Sequence, residues 1–287
     1  MNRTQLSLPK KLTLAFLSAY RLSVDVAKRQ ITVTQAIIDI KMRLFNTQRS
    51  LNDDFDWSKY PRHYREELKS VSRKHSLILE EESFNVLNGQ IVLADSDAKP
   101  LHPNHRLLYE VILALNPNSV QEIGVGAGDH LHNLSKLLPN TKLFGIDRSP
   151  EQLQALRQRH PSLQAQLDIA DITETHKHLD VAELSFTQAV LMHISELNNR
   201  FSCAVEFVLD STSKQIVLME NWTQHDYLST FQRIMSSRDG WNTASIHFGI
   251  SLDDPTVRCM ILSQSECQFP LLDHYDQLLQ GRNLLTH

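Results

Sequence analysis

Residues 101–287 predict an α/β fold, a mostly parallel sheet with an antiparallel edge strand, preceded over residues 1–100 by a mainly helical region with a short hairpin. Three observations carry this expectation. From Ser119 onward, short apolar runs alternate with stretches of three- and four-residue apolar spacing. The last two strand candidates, Thr243 to Gly249 and Val257 to Ser263, meet through Asp253-Asp254-Pro255 as an antiparallel pair. Before Pro103 the helical period dominates, interrupted by one hairpin signal.

Leu12, Phe16, Ala19, Ser23 and Val26, then Val33, Ile37, Ile40 and Leu44, recur at helical spacing. Residues 46–60 are polar and read as a loop, and Tyr64, Leu68, Val71 and Ile78 suggest another amphipathic helix. Asn88-Gly89 between two short apolar runs is a strong hairpin signal. Pro103 opens a helix that stops at Asn116-Pro117-Asn118. Strands are then expected at Val120 to Ile123, Lys142 to Ile146, Leu163 to Leu167, Leu184 to Thr187 and Gln215 to Met219. The intervening helices run from Asp129 to Leu138, from Pro150, from Leu197 to Leu209 and from Asp226 to Arg238.

Composition excludes several classes. With 41% hydrophobic and 22% charged residues, the chain lies away from the disordered profile. Residues 1–116 hold 17 Lys and Arg against 13 Asp and Glu, whereas residues 117–287 hold 12 against 20. Neither part has the dense basic stripe of a duplex-binding protein, so no nucleic-acid partner is expected. Cys203, Cys259 and Cys267 form no CxxC, which suits a reducing cytoplasm and argues against a metal site. Leu12 to Leu22 runs into charged residues without a cleavage signal, and no stretch approaches the length of a membrane span. A cytoplasmic protein is the expectation.

Glycine is scarce, eight in 287 residues where average usage would supply roughly 20. Three of the eight, Gly124, Gly126 and Gly128, follow a strand candidate and precede a helix. That is where a ligand touches backbone and a Cβ would intrude. The dinucleotide pattern GxGxxG fails, because the required sixth positions are Asp129 and Leu131. No Gly-Lys-Ser/Thr follows either, which removes the phosphate loop. Glu122, two residues before the first glycine, has the wrong charge for a pyrophosphate and suits a cation. It points to the ammonium and sulfonium of S-adenosylmethionine. Asp147 ends the next strand, 19 residues beyond Gly128, where an acid would accept from ribose hydroxyls. Ala170-Asp171-Ile172 then offers an acid to the adenine amino group and an apolar neighbour to its face.

On these residues the sequence resembles the class I S-adenosylmethionine-dependent methyltransferases, with their Rossmann-like fold, over about residues 103–265. Glu122-x-Gly124-x-Gly126-x-Gly128 fits the family's first motif, Asp147 and Asp171 stand at its next two acidic positions, and Val190 to Ile194 resembles the segment after its fourth strand. The resemblance implies that the glycine loop and Glu122 hold the methionine moiety, Asp147 the ribose, and Asp171 with Ile172 the adenine. Arg148, Gln188 and Arg106 are further cofactor candidates, Arg106 toward the cofactor carboxylate. One departure is visible: many relatives carry Asp near the start of the fourth strand, where this chain has Ala182-Glu183-Leu184-Ser185-Phe186.

Methyl transfer to an alcohol usually needs a base, and His193 and His225 follow the fourth and fifth strands. Glu220, Asn221, Trp222 and Tyr227 are expected to bind the acceptor, because ligands in such sheets lie outside the carboxyl ends of strands. The Asn/Asp-Pro-Pro-Tyr/Phe of base and amide methyltransferases is absent. The expectation is therefore O-methylation of a small polar, sugar or glycan acceptor, leaving S-adenosylhomocysteine. N- or carboxyl-methylation of a small molecule or peptide, and a non-catalytic cofactor-binding scaffold, are the alternatives. The helices of residues 10–45 offer a lid or a homodimer interface.

Overall fold

The computed structural model describes residues 75–80, 83–94, 98–174 and 180–280. The helices expected at 10–45, the loop at 46–60 and most of the helix from Tyr64 lie outside the described residues. Contacts divide the chain into Met1–Phe55 and Asp56–His287, and every described residue belongs to the second unit. The near end of that third helix differs from expectation. Residues 75–80 are irregular, with Ser76 bridged to Leu101 and Ile78 outside any helix.

Strands β1 (Phe84–Leu87) and β2 (Gln90–Leu93) form the expected hairpin. Both turn residues, Asn88 at φ 52° and Gly89 at φ 78°, take the left-handed region that a tight two-residue turn demands. Helix α1 (Pro103–Leu115) starts on its proline and ends at Asn116, which is left-handed at φ 47°. Then follow β3 (Ser119–Ile123), α2 (Asp129–Leu137), β4 (Lys142–Asp147), α3 (Pro150–Arg159) and β5 (Gln166–Ile169). The second half holds β6 (Ala182–Gln188), α4 (Arg200–Asp210), β7 (Thr212–Met219), α5 (Tyr227–Met235), β8 (Ser245–Ile250), β9 (Arg258–Ser263) and α6 (Asp276–Leu279).

Seven strands make one sheet in the order β5-β4-β3-β6-β7-β9-β8. Pairing is parallel from β5 to β7, and β9 runs antiparallel to both β7 and β8, so the antiparallel pairing falls at one edge as expected. The strand order reverses between β3 and β6, a switch point that opens a crevice beyond their carboxyl ends.

The period of two in each strand divides the core into two layers. Ile216 and Leu218 of β7 face α4 and α5 with Phe201, Val205, Tyr227 and Phe231. Val217 and Met219 face the other way, with Leu184 and Phe186 of β6, toward Leu108, Ile112 and Leu134 of α1 and α2. Leu79, Ile91 and Leu101 join this second layer, so the hairpin region packs on the same core. Asn133 of α2 secures that attachment. Its Oδ1 accepts from the Leu79 amide at 2.9 Å, and its Nδ2 donates to the Leu77 carbonyl at 2.7 Å and to Tyr109 Oη at 2.8 Å. Replacing Asn133 with Ala leaves buried groups unpaired and should cost about 2 kcal/mol or more of stability. Urea unfolding measures this, and unchanged stability would contradict the assigned packing of residues 77–79.

Candidate cofactor and active site

The site grows out of the switch point. β3 ends at Ile123, and the loop Gly124 to Gly128 leads into α2 with all three glycines left-handed, at φ 78°, 50° and 80°. The three serve different ends. A Cβ on Gly124 would lie 2.4 Å from a methyl of Val190, and one on Gly128 would lie 2.4 Å from Leu156, so both allow close packing. A Cβ on Gly126 would meet no atom within 4 Å. Its open side is where a ligand can approach backbone.

Glu122 lies on the α1/α2 face of β3, is 2% exposed, and has one oxygen, Oε2, without a hydrogen-bond partner. Burial, with Asp129 and Asp147 nearby, pushes its carboxyl well above the usual carboxylate range. Gln188 ends the neighbouring β6 on the same face, two residues past the partner of Glu122, and its Oε1 is also buried and unpartnered. Two unpaired acceptors beside a glycine loop fit a cationic donor group, as the ammonium and sulfonium of S-adenosylmethionine require.

Asp147 ends β4 with its carboxylate turned to the loop. Oδ2 accepts from the Gly126 amide and Oδ1 from the Ser149 amide, each at 2.9 Å. Burial pushes its carboxyl above the usual carboxylate range despite those bonds. Asp171, past β5, accepts from the Thr173 amide at 2.9 Å and hydroxyl at 2.7 Å. Arg148 and Arg200 approach its Oδ2 at 3.7 and 3.9 Å. Ile172 is buried in the α4/α5 layer. Arg106 is engaged within the protein, donating to Glu110 at 2.9 Å and pairing with Asp253, while Glu110 also accepts from the Ile91 amide at 2.9 Å. Its observed work is to tie α1 to the hairpin and to the β8–β9 loop.

The acceptor candidates separate. His193 is exposed on a single 3₁₀ turn, Leu191–His193. His225 is 8% exposed and its ring stacks on Phe201 with centroids 4.1 Å apart. Its Nδ1 lies 3.0 Å from Glu196 Oε1, and its Nε2 is buried without a partner. Glu220, Asn221, Trp222 and Tyr227 differ from the expectation of acceptor contact, because their side chains face inward. Glu220 is 0% exposed and bonded to the loop after β6. Asn221 closes its own turn by accepting from Thr223. Trp222 and Tyr227 are core rings set edge to face, 5.5 Å apart.

Sequence reasoning missed one cluster. His105 of α1 and His130 of α2 lie with ring centroids 4.4 Å apart, and Tyr109 Oη is 2.8 Å from His130 Nδ1. Burial holds His105 down to about 4, so it is neutral at ordinary pH. These residues are polar positions on otherwise apolar faces of α1 and α2, which is the signal that could have found them.

A sheet of this order, with the glycine loop and three acids at its carboxyl ends, has the Rossmann-like fold of class I S-adenosylmethionine-dependent methyltransferases. The family model described as a methyltransferase domain matches residues 120–209, from β3 through most of α4. The matched segment carries the glycine loop, Glu122, Asp147 and Asp171, the residues whose chemistry fits S-adenosylmethionine. Solved structures similar to this chain include the plantazolicin methyltransferase BpumL in complex with S-adenosylhomocysteine, at 15% identity over 80% of this chain and 100% of that one, with TM-score 0.48. The methyltransferase domain of bacterial CtHen1 is 16% identical over 56% of this chain and 98% of that one, with TM-score 0.45. N-methyltransferase NodS from Bradyrhizobium japonicum WM9 is 16% identical over 55% and 83%, with TM-score 0.40. No curated protein matches the sequence. The expected exclusion of nucleic acid is corrected, because CtHen1, an RNA 2′-O-methyltransferase, stands among these structures. Surface charge alone did not warrant it, since a ribose hydroxyl is itself a polar hydroxyl acceptor. Among the described residues no helix is long and apolar enough to cross a membrane.

The weakened acidity of Glu122 gives a signed expectation. A cation favours the ionised carboxylate, so binding should release a proton, and affinity should rise with pH until Glu122 is ionised in the free protein. Calorimetric titration with S-adenosylmethionine in buffers of different ionisation enthalpy reads that proton. Glu122→Gln should abolish the release. A buffer-independent heat in the unaltered protein would contradict the assignment.

Proposed function

We propose that the protein transfers a methyl group to a hydroxyl of a small polar or glycan acceptor, with His225 as the general base. The observation that carries this reading is the Glu196–His225 pair at 3.0 Å, which leaves Nε2 buried and unpartnered just beyond the carboxyl end of β7. A carboxylate on Nδ1 fixes the tautomer and keeps the lone pair on Nε2, the state a base requires. The stacked Phe201 ring holds the imidazole plane.

S-adenosylmethionine, when bound, supplies a methyl carbon open to in-line displacement. The chain's own residues do the rest. Glu122 and Gln188 hold the cationic end of the donor, Gly126 admits it to the backbone, and Asp147 receives ribose hydroxyls. Asp171, held by Thr173 and flanked by Arg148 and Arg200, presents an oxygen to the adenine amino group. His225 Nε2 takes the proton from the acceptor hydroxyl as its oxygen becomes nucleophilic, and Glu196 offsets the charge gained by the ring. The thiols Cys203, Cys259 and Cys267 are all free, which supports a reducing cytoplasm.

Labelled methyl transfer to a panel of sugars, glycans and small hydroxylated molecules tests the reading. His225→Ala should lower kcat by about 10²- to 10⁴-fold and leave S-adenosylhomocysteine affinity within about twofold. Glu196→Gln should show the same split with a smaller loss. Full turnover by His225→Ala, or transfer to amines alone, would contradict it.

A further inference from the structure

The chain reverses sharply after β6. Ala189 takes φ 54°, a left-handed conformation that is strained for a residue with a Cβ. Every other non-glycine residue at positive φ among the described residues is Asn. This turn aims backbone amides of residues 190–192 into the protein, where water cannot satisfy them.

Glu220, the residue after β7, receives them. Its Oε1 accepts from Thr187 Oγ1 at 2.7 Å and from the Val190 amide at 3.1 Å, and its Oε2 accepts from the Met192 amide at 3.1 Å. One backbone bond, from the Ala189 amide to the Met219 carbonyl at 3.0 Å, completes the tie. The turn so held seats Val190 in the space left by the missing Cβ of Gly124. It also closes the single 3₁₀ turn bearing His193, whose amide donates to the Val190 carbonyl.

We propose that Glu220 is a positioning residue, a carboxylate clamp that sets residues 189–193 against the glycine loop and thereby shapes the methyl-donor side of the site. The inference rests on the methyltransferase reading for its consequence, though not for its geometry. Burial pushes the Glu220 carboxyl up to about 7, against the lowering effect of Thr187 and the loop amides. Tyr227 of α5 is the titratable group that faces it, and no cation pairs with it among the described residues. Deprotonation gives the clamp its full set of acceptor lone pairs, whereas the protonated acid spends one oxygen as a donor. The loop therefore tightens as pH rises through neutrality.

Nuclear magnetic resonance hydrogen exchange, corrected for intrinsic rates, tests the clamp without any ligand. In the unaltered protein, protection of the Val190 and Met192 amides should rise across pH 6 to 8 with a midpoint of about 7. Glu220→Gln should lower that protection about tenfold at high pH and remove the midpoint, since a hydrogen bond to a charged acceptor is lost. S-adenosylhomocysteine affinity should fall by a similar factor and lose the same midpoint. Thr187→Val removes one donor to the carboxylate, so its midpoint should move up, and this variant decides the matter if Glu220→Gln fails to fold. Unchanged protection at both amides in the variants, with no midpoint in the unaltered protein, would overturn the clamp. Absence of S-adenosylhomocysteine binding with the exchange effects intact would overturn the methyltransferase reading instead.

Discussion

A buried carboxylate with one unpaired oxygen is the constraint around which this site is arranged. Glu122 can remain in the α1/α2 layer only as a neutral acid or beside a cation. The adjacent Gln188 Oε1 repeats the demand from the next strand. Everything nearby is consistent with a cationic guest. The glycine loop leaves open space at Gly126, Asp147 binds that loop, and the strand order reverses between β3 and β6 beside it. A dinucleotide would want positive dipoles and no acid at this position, so Glu122 adds to the missing glycine at 129 or 131 in separating two cofactor classes.

The proposed acceptor side lies on the opposite layer of the sheet. Parity places Glu220 with Ile216 and Leu218, facing α4 and α5, and the chain then leads through Trp222 to His225. Two carboxylates act there in different ways. Glu196 is on the surface and orients His225, while Glu220 is inside and orders the turn after β6. Phe201 stacks on the imidazole, Tyr227 meets it edge-on, and Trp222 packs on Tyr227 behind.

Much of this was legible in the sequence because it depends on local rules. Asn88-Gly89, Pro103 and Ser149-Pro150 each state a backbone requirement that the structure meets at those residues, and the strand–helix alternation appears in the expected order. The misses came from tertiary effects. β5 begins at Gln166, not Leu163, because its register is set by pairing with Phe144 to Asp147. α4 begins at Arg200, not Leu197, because Asn198 and Asn199 take left-handed conformations that no apolar period reveals. Residues after β7 read as acceptor binders, yet all four hydrogen-bond or pack inward, a choice made by loop geometry. Tyr109, His130 and Asn133 leave only an indirect mark in the sequence, polar positions on apolar helix faces, because their pairing joins two helices and the chain before α1.

Where S-adenosylhomocysteine binds is the most direct test of the account. A competing cavity of about 570 Å³ lies between the hairpin and α2, lined by Phe84, Val86, His132, Lys136 and Leu163, with residues that lead into the amino ends of β4 and β5. Chemical-shift mapping during titration distinguishes the two. The account predicts that shifts concentrate at Gly124 to Gly128, Asp147, Asp171 and Gln188. Shifts concentrated at Phe84 to Val86 and His132, with the glycine loop unmoved, would contradict it.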